Sequence, residues 1–408
     1  MIHARRSILA AATGLLLALA PVAARAQRPA APYAPARPRL AATADTNSAL
    51  TYYTHGVRQM ERDPRAAAAA FYWAARLRPG WAAAIQGEYV SRLRLIEDRR
   101  QAVAYVFGSR RALRVPAIAS IDSLGELART IDPFSSVLFG DLMARFAYGY
   151  DGGHEWRSYN DQISGIYQVA RGQHDMALRS FGLALQLTRH KADLHVAIAQ
   201  VYYQQGKMDA VRESLQRARA AYEAADTSGD RLVLFYRPKA QLEYSLGIVD
   251  LALHDTTAAR QAFGRALQED LAFYSAHVRL SALAQAAGDS ASAISEMDLA
   301  VQIRPDQPAL RMRYGMLLAD AQRYDEALRE FRKANELNPD YAEPYFVIAR
   351  MYDGSDMYDE ALEQYRGFAA RAARDHPQLE PVRARMEQIQ ALLAERAAAA
   401  NAPTPPTP

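Results

Sequence analysis

The sequence predicts an all-α fold, a solenoid of stacked helix-turn-helix repeats. Three observations predict it. One pattern of small and aromatic residues returns at a fixed period over most of the 408-residue chain. Apolar residues make up 50% of the sequence and charged residues 23%, so the repeats can bury a continuous core. Proline and short polar turns separate stretches of helix length. We therefore expect an array in which each repeat contacts only its neighbours.

Residues 1–26 are typical of a secretory signal peptide. Arg5 and Arg6 form a positive n-region, residues 8–20 are apolar, and Ala24 and Ala26 supply the small residues of a cleavage site. The apolar run is too short for a membrane span, which needs about 20 residues. We predict cleavage after Ala26 and a periplasmic or secreted protein with no integral membrane span after signal removal. The paired arginines leave general secretory and twin-arginine export as alternatives.

Proline-rich segments flank the array. Residues 27–47 carry proline at every third position from 29 to 38, which fixes φ and blocks both helix and sheet. We predict a disordered spacer there and a disordered tail over 398–408.

Four contiguous repeats occupy 240–375, with units 240–273, 274–307, 308–341 and 342–375. In unit 308–341 the pattern is Gly315 in the first helix and Ala327, Phe331 and Ala334 in the second. The other units carry, in these places, Gly247, Ala259, Phe263 and Ala266; Ser281, Ala293, Met297 and Ala300; and Ala349, Ala361, Tyr365 and Phe368. The small residue allows the two helices to approach closely, the alanines share one helix face, and the aromatic fills the wedge against the next unit.

This pattern resembles the tetratricopeptide repeat. The residues that carry the resemblance are Tyr314-Gly315, Leu318, Ala327, Phe331, Ala334 and Pro339, with their counterparts in the neighbouring units. The resemblance implies a right-handed α-solenoid that acts as a non-enzymatic protein-protein interaction scaffold. The sequence departs from the family at its aromatic first position, which is Arg311, Glu243 or His277 in three units.

The remaining segments are irregular. Residues 158–225 are predicted to form two further repeats, and 48–95 to form N-terminal helices of the same type with Gly56, Ala68, Tyr72 and Ala75 in the four places. An irregular helical insert is expected over 96–157, an insertion over 226–239, and a capping helix over 376–397.

No catalytic, cofactor or metal site is predicted. The absence of cysteine excludes disulfides, thiolate zinc sites and thiol catalysis. The loop 151–155 is interpreted as a surface turn, and His190 and His195 lack the i, i+4 spacing of a helical zinc pair. We therefore predict that the protein is not an enzyme.

The net charge gives no support for nucleic acid as a partner. The formal charge of +4 reflects 49 basic and 45 acidic residues, yet six of the basic residues lie before residue 40 and no acidic one does. Residues 40–408 therefore carry 43 basic against 45 acidic residues, a net charge of −2. The basic character belongs to the signal peptide and spacer, and we expect protein partners.

In the tetratricopeptide family, the first helices of successive units line a concave groove that binds a partner segment. By this resemblance the predicted groove residues are Gln200, Tyr203, Gln241, Tyr244, Arg279, Met312, Arg313, Met316, Phe346 and Arg350. Spaced arginines pair with carboxylates and methionine adapts to varied surfaces, so the partner is predicted to be an extended or helical segment with acidic character. The alternative is that these arginines pair with acidic residues of the array itself.

Two other functions remain open. The first is a glycan- or small-ligand-binding solenoid, which stacked aromatics such as Trp73, Trp81 and Trp156 would favour. The second is an accessory subunit of an envelope enzyme or secretion complex, with its activity in 83–157. An envelope setting follows from the predicted signal peptide and from analogy with the family alone.

Overall fold

In a computed structural model of the protein, the described residues are 33–106, 110–134, 160–187, 191–224 and 239–400. The chain divides into two compact units, Met1–Ala34 and Pro35–Pro408. Only Tyr33 and Ala34 of the first unit are described, and neither lies in a helix or strand. The predicted signal peptide, nearly all of the insertion over 226–239 and residues 401–408 of the tail lie outside the described residues.

The described part of the second unit contains 18 α-helices, one short 3₁₀ helix (Arg110–Arg114) and no β-strand. In chain order the α-helices are α1 (Ala49–Gln59), α2 (Pro64–Leu77), α3 (Ala82–Leu93), α4 (Arg99–Val106), α5 (Pro116–Ile131), α6 (Asn160–Ala170), α7 (His174–Leu187), α8 (Lys191–Gln204), α9 (Met208–Ala224), α10 (Lys239–Ala252), α11 (Thr256–Glu269), α12 (Tyr274–Ala286), α13 (Ser290–Ile303), α14 (Pro308–Asp320), α15 (Tyr324–Leu337), α16 (Ala342–Asp353), α17 (Tyr358–Arg371) and α18 (Leu379–Ala400).

Within the described ranges the helices pair into seven hairpins. The pairs are α1–α2, α6–α7, α8–α9, α10–α11, α12–α13, α14–α15 and α16–α17. The second helix of each pair also packs on the helix that follows it. Such stacking buries an apolar face that a single hairpin would leave exposed. The predicted all-α solenoid of helix-turn-helix repeats is confirmed.

An aromatic ring lies on a glycine in the core of the α14–α15 hairpin. A Cβ atom at Gly315 would lie 2.5 Å from Cε1 of Phe331, so only glycine fits this contact. Phe331 also shares an apolar cluster with Ile348 of the next hairpin. The aromatic therefore fills the space inside its own hairpin as well as the predicted wedge between hairpins.

The first hairpin follows the same pattern one residue earlier than predicted. Phe71, and not Tyr72, lies on Gly56, where a Cβ atom would be 2.9 Å from its ring. Tyr72 and Ala75 are only half-buried. Fully buried in the second helix are Ala67, Ala68, Ala70, Phe71 and Ala74. The prediction of Tyr72 and Ala75 was wrong because the glycine and the aromatic residue are closer in sequence here than in the α14–α15 hairpin.

Six hairpins turn through one residue in the left-handed region. These residues, with φ between 56° and 71° in five cases and 77° in the sixth, are Gly172, Gly206, His254, Gly288, Gln322 and Asp356. A left-handed residue after a helix lets the last free carbonyl groups accept hydrogen bonds from the turn. Because only three of the six are glycine, the other three hairpins place a side chain in a strained conformation.

Polar pairs lie near the start of the first helix, at the position where the tetratricopeptide resemblance predicts an aromatic residue. Arg311 Nη1 lies 2.7 Å from Glu330 Oε2, and His277 Nδ1 lies 2.7 Å from Glu296 Oε2. In each case the partner is on the second helix of the same hairpin. These hairpins are therefore joined by a polar contact at the place where an aromatic contact is expected.

The described part of the predicted spacer is held against the helices. Trp73 Nε1 donates to the carbonyl oxygen of Pro35 at 3.1 Å. The backbone N–H of Arg374 donates to Asp45 Oδ2 at 2.7 Å, and Asn47 Nδ2 donates to the carbonyl oxygen of Ala370 at 3.0 Å. Residues 35–47 thus differ from the predicted disordered spacer, because they have hydrogen-bond partners on α2 and around the end of α17.

Helix α5 connects two separate cores. Ile118 and Ile121 pack in the N-terminal apolar cluster with Tyr89. Further along the same helix, Leu127 packs against the cluster that contains Tyr274 of α12. The apolar stripe of α5 is therefore shared between the N-terminal helices and the repeats.

The last helix, α18, packs on α17 and closes the apolar core. Leu379, Val382 and Ile389 are buried in one cluster with Tyr365 and Phe368 of α17. The helix begins and ends three residues after the predicted bounds of 376–397.

Candidate partner-binding face

The ten predicted groove residues lie on the first helices α8, α10, α12, α14 and α16, and we call the surface they mark the binding face. It has two regions that differ in what packs on them. The covered region comprises Gln200, Tyr203, Gln241, Tyr244 and Arg279 on α8, α10 and α12. The open region comprises Met312, Arg313, Met316, Phe346 and Arg350 on α14 and α16.

The end of α5 and the residues after it lie on the covered region. Gln241 is only 3% exposed, and its Nε2 donates to the carbonyl oxygen of Arg129 at 3.0 Å. The ring of Tyr203 stacks on the ring of Phe134, with centroids 4.1 Å apart and planes inclined by 5°. Phe134 is itself buried, so this stack excludes water from one side of Tyr203, which remains 38% exposed.

A small electrostatic network lies at the centre of the covered region. Arg279 Nε donates to the hydroxyl oxygen of Tyr244 at 3.2 Å. Burial raises the pKa of Asp132, while a hydrogen bond from the Phe134 backbone and the charge of Arg279 act in the opposite direction. Burial likewise raises the pKa of Tyr244, which Arg279 opposes. The charge of Arg279 thus opposes the effect of burial on both the Tyr244 hydroxyl group and the Asp132 carboxyl group.

The open region presents an unpaired cation beside an exposed thioether. Arg313 is exposed, and it makes no ion pair with any carboxylate in the part of the chain that the structure describes. Desolvation of the guanidinium by the surrounding protein atoms, and after it the like charge of Arg279, lower the pKa of Arg313. Met316, one turn further along α14, is 50% exposed. Together they offer a charged and an apolar contact to an incoming group.

The rest of the open region is partly internal. Arg350 is exposed, and its guanidinium carbon lies 5.9 Å from the centroid of Phe346. Phe346 is half-buried and packs on Phe368 at a centroid distance of 5.3 Å. Met312 is buried in the cluster that contains Phe331. Gln200, in the covered region, is half-buried.

A cleft of about 410 Å³ lies between α5 and the starts of α10 and α12. Its lining includes Glu126, Arg129, Tyr274 and Arg304. The guanidinium carbon of Arg304 lies 5.6 Å from the Tyr274 ring centroid. A volume of this size is within the usual range of roughly 300–1,000 Å³ for small-molecule sites.

Two of the three tryptophans proposed for a ligand platform make internal contacts. Trp81 stacks on Tyr53 with centroids 4.6 Å apart. Trp73 is covered by the guanidinium of Arg37, whose carbon lies 4.9 Å from the ring centroid. Trp156 lies outside the described residues.

The structure adds little to the other predicted chemistry. No three His, Asp or Glu side chains come together as a metal site in the described ranges. His195 is half-buried, and burial and the nearby cations Arg217 and Lys191 lower its pKa. His190 and the loop 151–155 fall among the residues that are not described. None of the described helices is both long enough and apolar enough to cross a membrane.

Sequence reasoning missed the residues that cover the face, Arg129, Asp132 and Phe134. All three fall in the predicted irregular helical insert over 96–157, of which residues 107–109 and 135–157 lie outside the described residues. One signal was available. The apolar stripe of α5 continues to Leu127, further than the contacts of Ile118 and Ile121 with the N-terminal core require.

Comparisons with known proteins agree with the repeat pattern. Residues 309–341 match the family profile described as tetratricopeptide repeat. The TPR repeat-containing protein YpiA of Bacillus subtilis (strain 168) is 27% identical over 125 residues, which cover 28% of this chain and 29% of that protein. The chain thus matches less than a third of the length of this relative.

Similarity to solved structures is found at low sequence identity. PilF of Pseudomonas aeruginosa is 17% identical with a TM-score of 0.43, over 60% of this chain and 99% of that one. YrrB, described as a TPR protein with an unusual peptide-binding site, is 17% identical with a TM-score of 0.35, over 45% and 87%. The tetratricopeptide resemblance is supported by the family match, which falls within the predicted unit 308–341.

Proposed function

We propose that this protein is a non-enzymatic protein-protein interaction scaffold of the cell envelope. Its binding face takes up a partner segment with acidic character, and the open region makes the first contact. The observation that carries this proposal is Arg313, an exposed residue whose guanidinium has no carboxylate partner in the described part of the chain and has the like charge of Arg279 nearby.

The physical argument concerns charge. A like-charged neighbour makes the Arg279–Arg313 pair unfavourable, and a carboxylate placed between them would relieve the repulsion. Arginine forms bidentate hydrogen bonds with carboxylates, and the exposed Met316 can adapt to an apolar residue beside them. An acidic segment with apolar side chains therefore suits α14 and α16 better than a basic or purely apolar one.

The proposal is tested by charge reversal on the open region. A photo-crosslinking residue at Met316 is used to capture partners in the native cell, in the wild-type chain and in Arg313→Glu plus Arg350→Glu. We expect the variant to lose at least nine-tenths of the specific crosslinked product. A matched control, Arg329→Glu plus Arg366→Glu, makes the same charge change at exposed positions on the second helices α15 and α17. Equal capture by all three proteins would contradict the proposal.

The envelope location is tested separately. Export with removal of residues 1–26 leaves a mature chain that begins at Gln27. Cell fractionation followed by N-terminal sequencing of the protein measures this directly. Recovery of the uncleaved chain from the cytoplasm would refute the envelope setting and leave the binding face untouched.

A second candidate function, small-ligand or glycan binding, is favoured by the 410 Å³ cleft beside α5. Tyr274 and Arg304 would supply an aromatic surface and a charged hydrogen-bond donor. A thermal-shift screen with short neutral and acidic oligosaccharides tests it, with Arg304→Ala as the control. A shift that Arg304→Ala retains would not come from this cleft.

A further inference from the structure

The segment Leu127–Phe134, which we call the internal segment, lies on the covered region as a bound peptide would lie. Its contacts are distributed over three successive first helices, α8, α10 and α12. They are Phe134 with Tyr203, the carbonyl oxygen of Arg129 with Gln241, and Leu127 and Thr130 with Tyr274 or its apolar cluster. A single short segment therefore spans three repeats.

The surface beneath the internal segment is polar. Gln241 and Tyr244 are buried there, and Arg279, which donates to the Tyr244 hydroxyl oxygen, is half-buried. A face built only to pack a helix would be expected to be apolar, because burying an amide or a guanidinium carries a desolvation cost. Here Gln241 donates to a carbonyl oxygen of the segment, and the charge of Arg279 acts on the carboxyl group of Asp132.

The chemistry that is recognised comes from a short run of sequence. Gln241 donates to a main-chain carbonyl oxygen of the segment, which any residue could provide. The side chains that define the segment are Asp132, attracted by Arg279, and Phe134, stacked on Tyr203. These two residues lie two positions apart in a turn, in which Asp132 Oδ1 accepts a hydrogen bond from the Phe134 backbone N–H at 2.9 Å.

Building on the proposed function, we propose that the internal segment is a built-in occupant of the covered region, which a partner segment displaces. The displacing segment carries an acidic residue followed two positions later by an aromatic residue, and it reaches the covered region after meeting Arg313. The face is thereby reserved for partners that reproduce the contacts of Asp132 and Phe134.

Tethering sets the strength of this competition. A segment joined to its own binding site acts at an effective concentration on the order of millimolar. A free peptide with the same contacts therefore binds the wild-type chain weakly, since its apparent affinity is reduced by the small fraction of chains in which the site is empty. Weakening the internal segment should raise that fraction and the apparent affinity together.

The test uses a fluorescein-labelled synthetic peptide with the sequence of residues 124–136 and fluorescence anisotropy on the full chain. In the variant Asp132→Lys plus Phe134→Ala we expect a Kd at least 10-fold lower than in the wild type. The control Ala117→Ser plus Ser123→Ala changes exposed positions of α5 outside these contacts and should bind as the wild type does. A peptide that carries the Lys and Ala changes should not bind either chain. Equal binding of the original peptide by wild type and variant, or binding by neither, would overturn the proposal.

Hydrogen exchange on the wild-type chain gives a measurement that does not depend on the variant folding. Saturating peptide should speed amide exchange in residues 127–134 and slow it in α8 and α10. Bound peptide with unchanged exchange in 127–134 would also overturn the proposal. Because Arg313 and Arg350 take no part in this assay, a built-in occupant that fails the test is distinguishable from a failure of the proposed acidic-partner function.

Discussion

Helices α10 and α14 occupy the same place in their repeats and yet meet different surroundings. Every residue from Ala240 to Gly247 of α10 is buried, including the polar side chain of Gln241. On α14, Arg313 and Met316 are exposed. Part of the difference comes from α5, because the carbonyl oxygen of its Arg129 accepts a hydrogen bond from Gln241 of α10.

This difference shows what a repeat position determines. The repeat period fixes which side of a helix a residue faces, because that side is set by packing within and between hairpins. It does not fix whether the side meets solvent, another segment of the chain or a partner. The covered and open regions therefore have the same geometry with different electrostatics, since Arg279 has Asp132 nearby and Arg313 has no acidic partner in the described part of the chain.

The largest effect on folding stability is expected where α3 meets the start of α5, the helix whose end lies on the covered region. Glu88 on α3 is buried, and its Oε1 accepts from Arg92 Nη1 at 3.1 Å, while Arg92 Nη2 donates to Ser120 of α5 at 3.2 Å. Burial raises the pKa of Glu88 to about 7, against the opposing effect of Arg92. The folded state therefore holds a proton that the unfolded state has released between about pH 4.5 and 7.

Because the folded state holds this proton, the free energy of unfolding decreases as the pH rises. The contribution of Glu88 to stability is most favourable below about pH 4.5 and is lost as the pH rises to about 7. At pH 8, Glu88→Gln should therefore raise the free energy of unfolding by up to about 3 kcal/mol, at 1.36 kcal/mol per pKa unit. Denaturant unfolding of both chains from pH 5 to pH 8 measures it. A difference between the chains that stays constant with pH would show that Glu88 is ionised throughout.

The next largest effect is the difference in folding free energy between a truncation in the covered region and one in the open region. Gln241→Ala removes the buried donor to the Arg129 carbonyl oxygen and should cost about 1–3 kcal/mol of folding free energy, because that oxygen stays buried without its partner. Met316→Ala removes a side chain that is half exposed and should cost no more than about 0.5 kcal/mol. Thermal and denaturant unfolding of the two variants give both values. If the two costs were equal, α5 would contribute no stability through the covered region.

The sequence could predict those contacts that lie within one repeat unit and recur in the others. Phe331 lies on Gly315 because both belong to one hairpin, and the recurrence of their types in the other units reveals the pair. The first hairpin shows the limit of this approach, since shortening the spacing by one residue put Phe71 where Tyr72 was predicted. The pattern identifies the kind of contact. Which residue makes that contact depends on the length of the loop between the two helices.

Contacts between distant segments left no such pattern. Asp45 accepts from the backbone N–H of Arg374, 329 residues away, and Phe134 stacks on Tyr203 of a different hairpin. Neither pair has a counterpart in another repeat, so no period could reveal it. All ten predicted residues of the candidate face lie on first helices, while the segment that covers part of the face was not predicted, because it comes from the part of the chain that does not repeat.

The smallest effect on stability is expected at the turns of the hairpins beneath the two regions, and it tests whether the regions differ only on their surfaces. His254 turns the α10–α11 hairpin under the covered region, and Gln322 turns the α14–α15 hairpin under the open region, both at φ 62°. Glycine relieves the left-handed strain of about 1–2 kcal/mol and loses part of this gain through its greater freedom when unfolded, so each substitution to glycine should stabilise by about 0.5–1 kcal/mol. Because both turns have the same φ, the gains at His254→Gly and Gln322→Gly should agree, while Gly288→Ala at the matching turn should destabilise. Chemical denaturation of the three variants measures this. A gain confined to Gln322→Gly would mean that the covered hairpin is strained by its cover, and that the difference between the regions extends into the repeats.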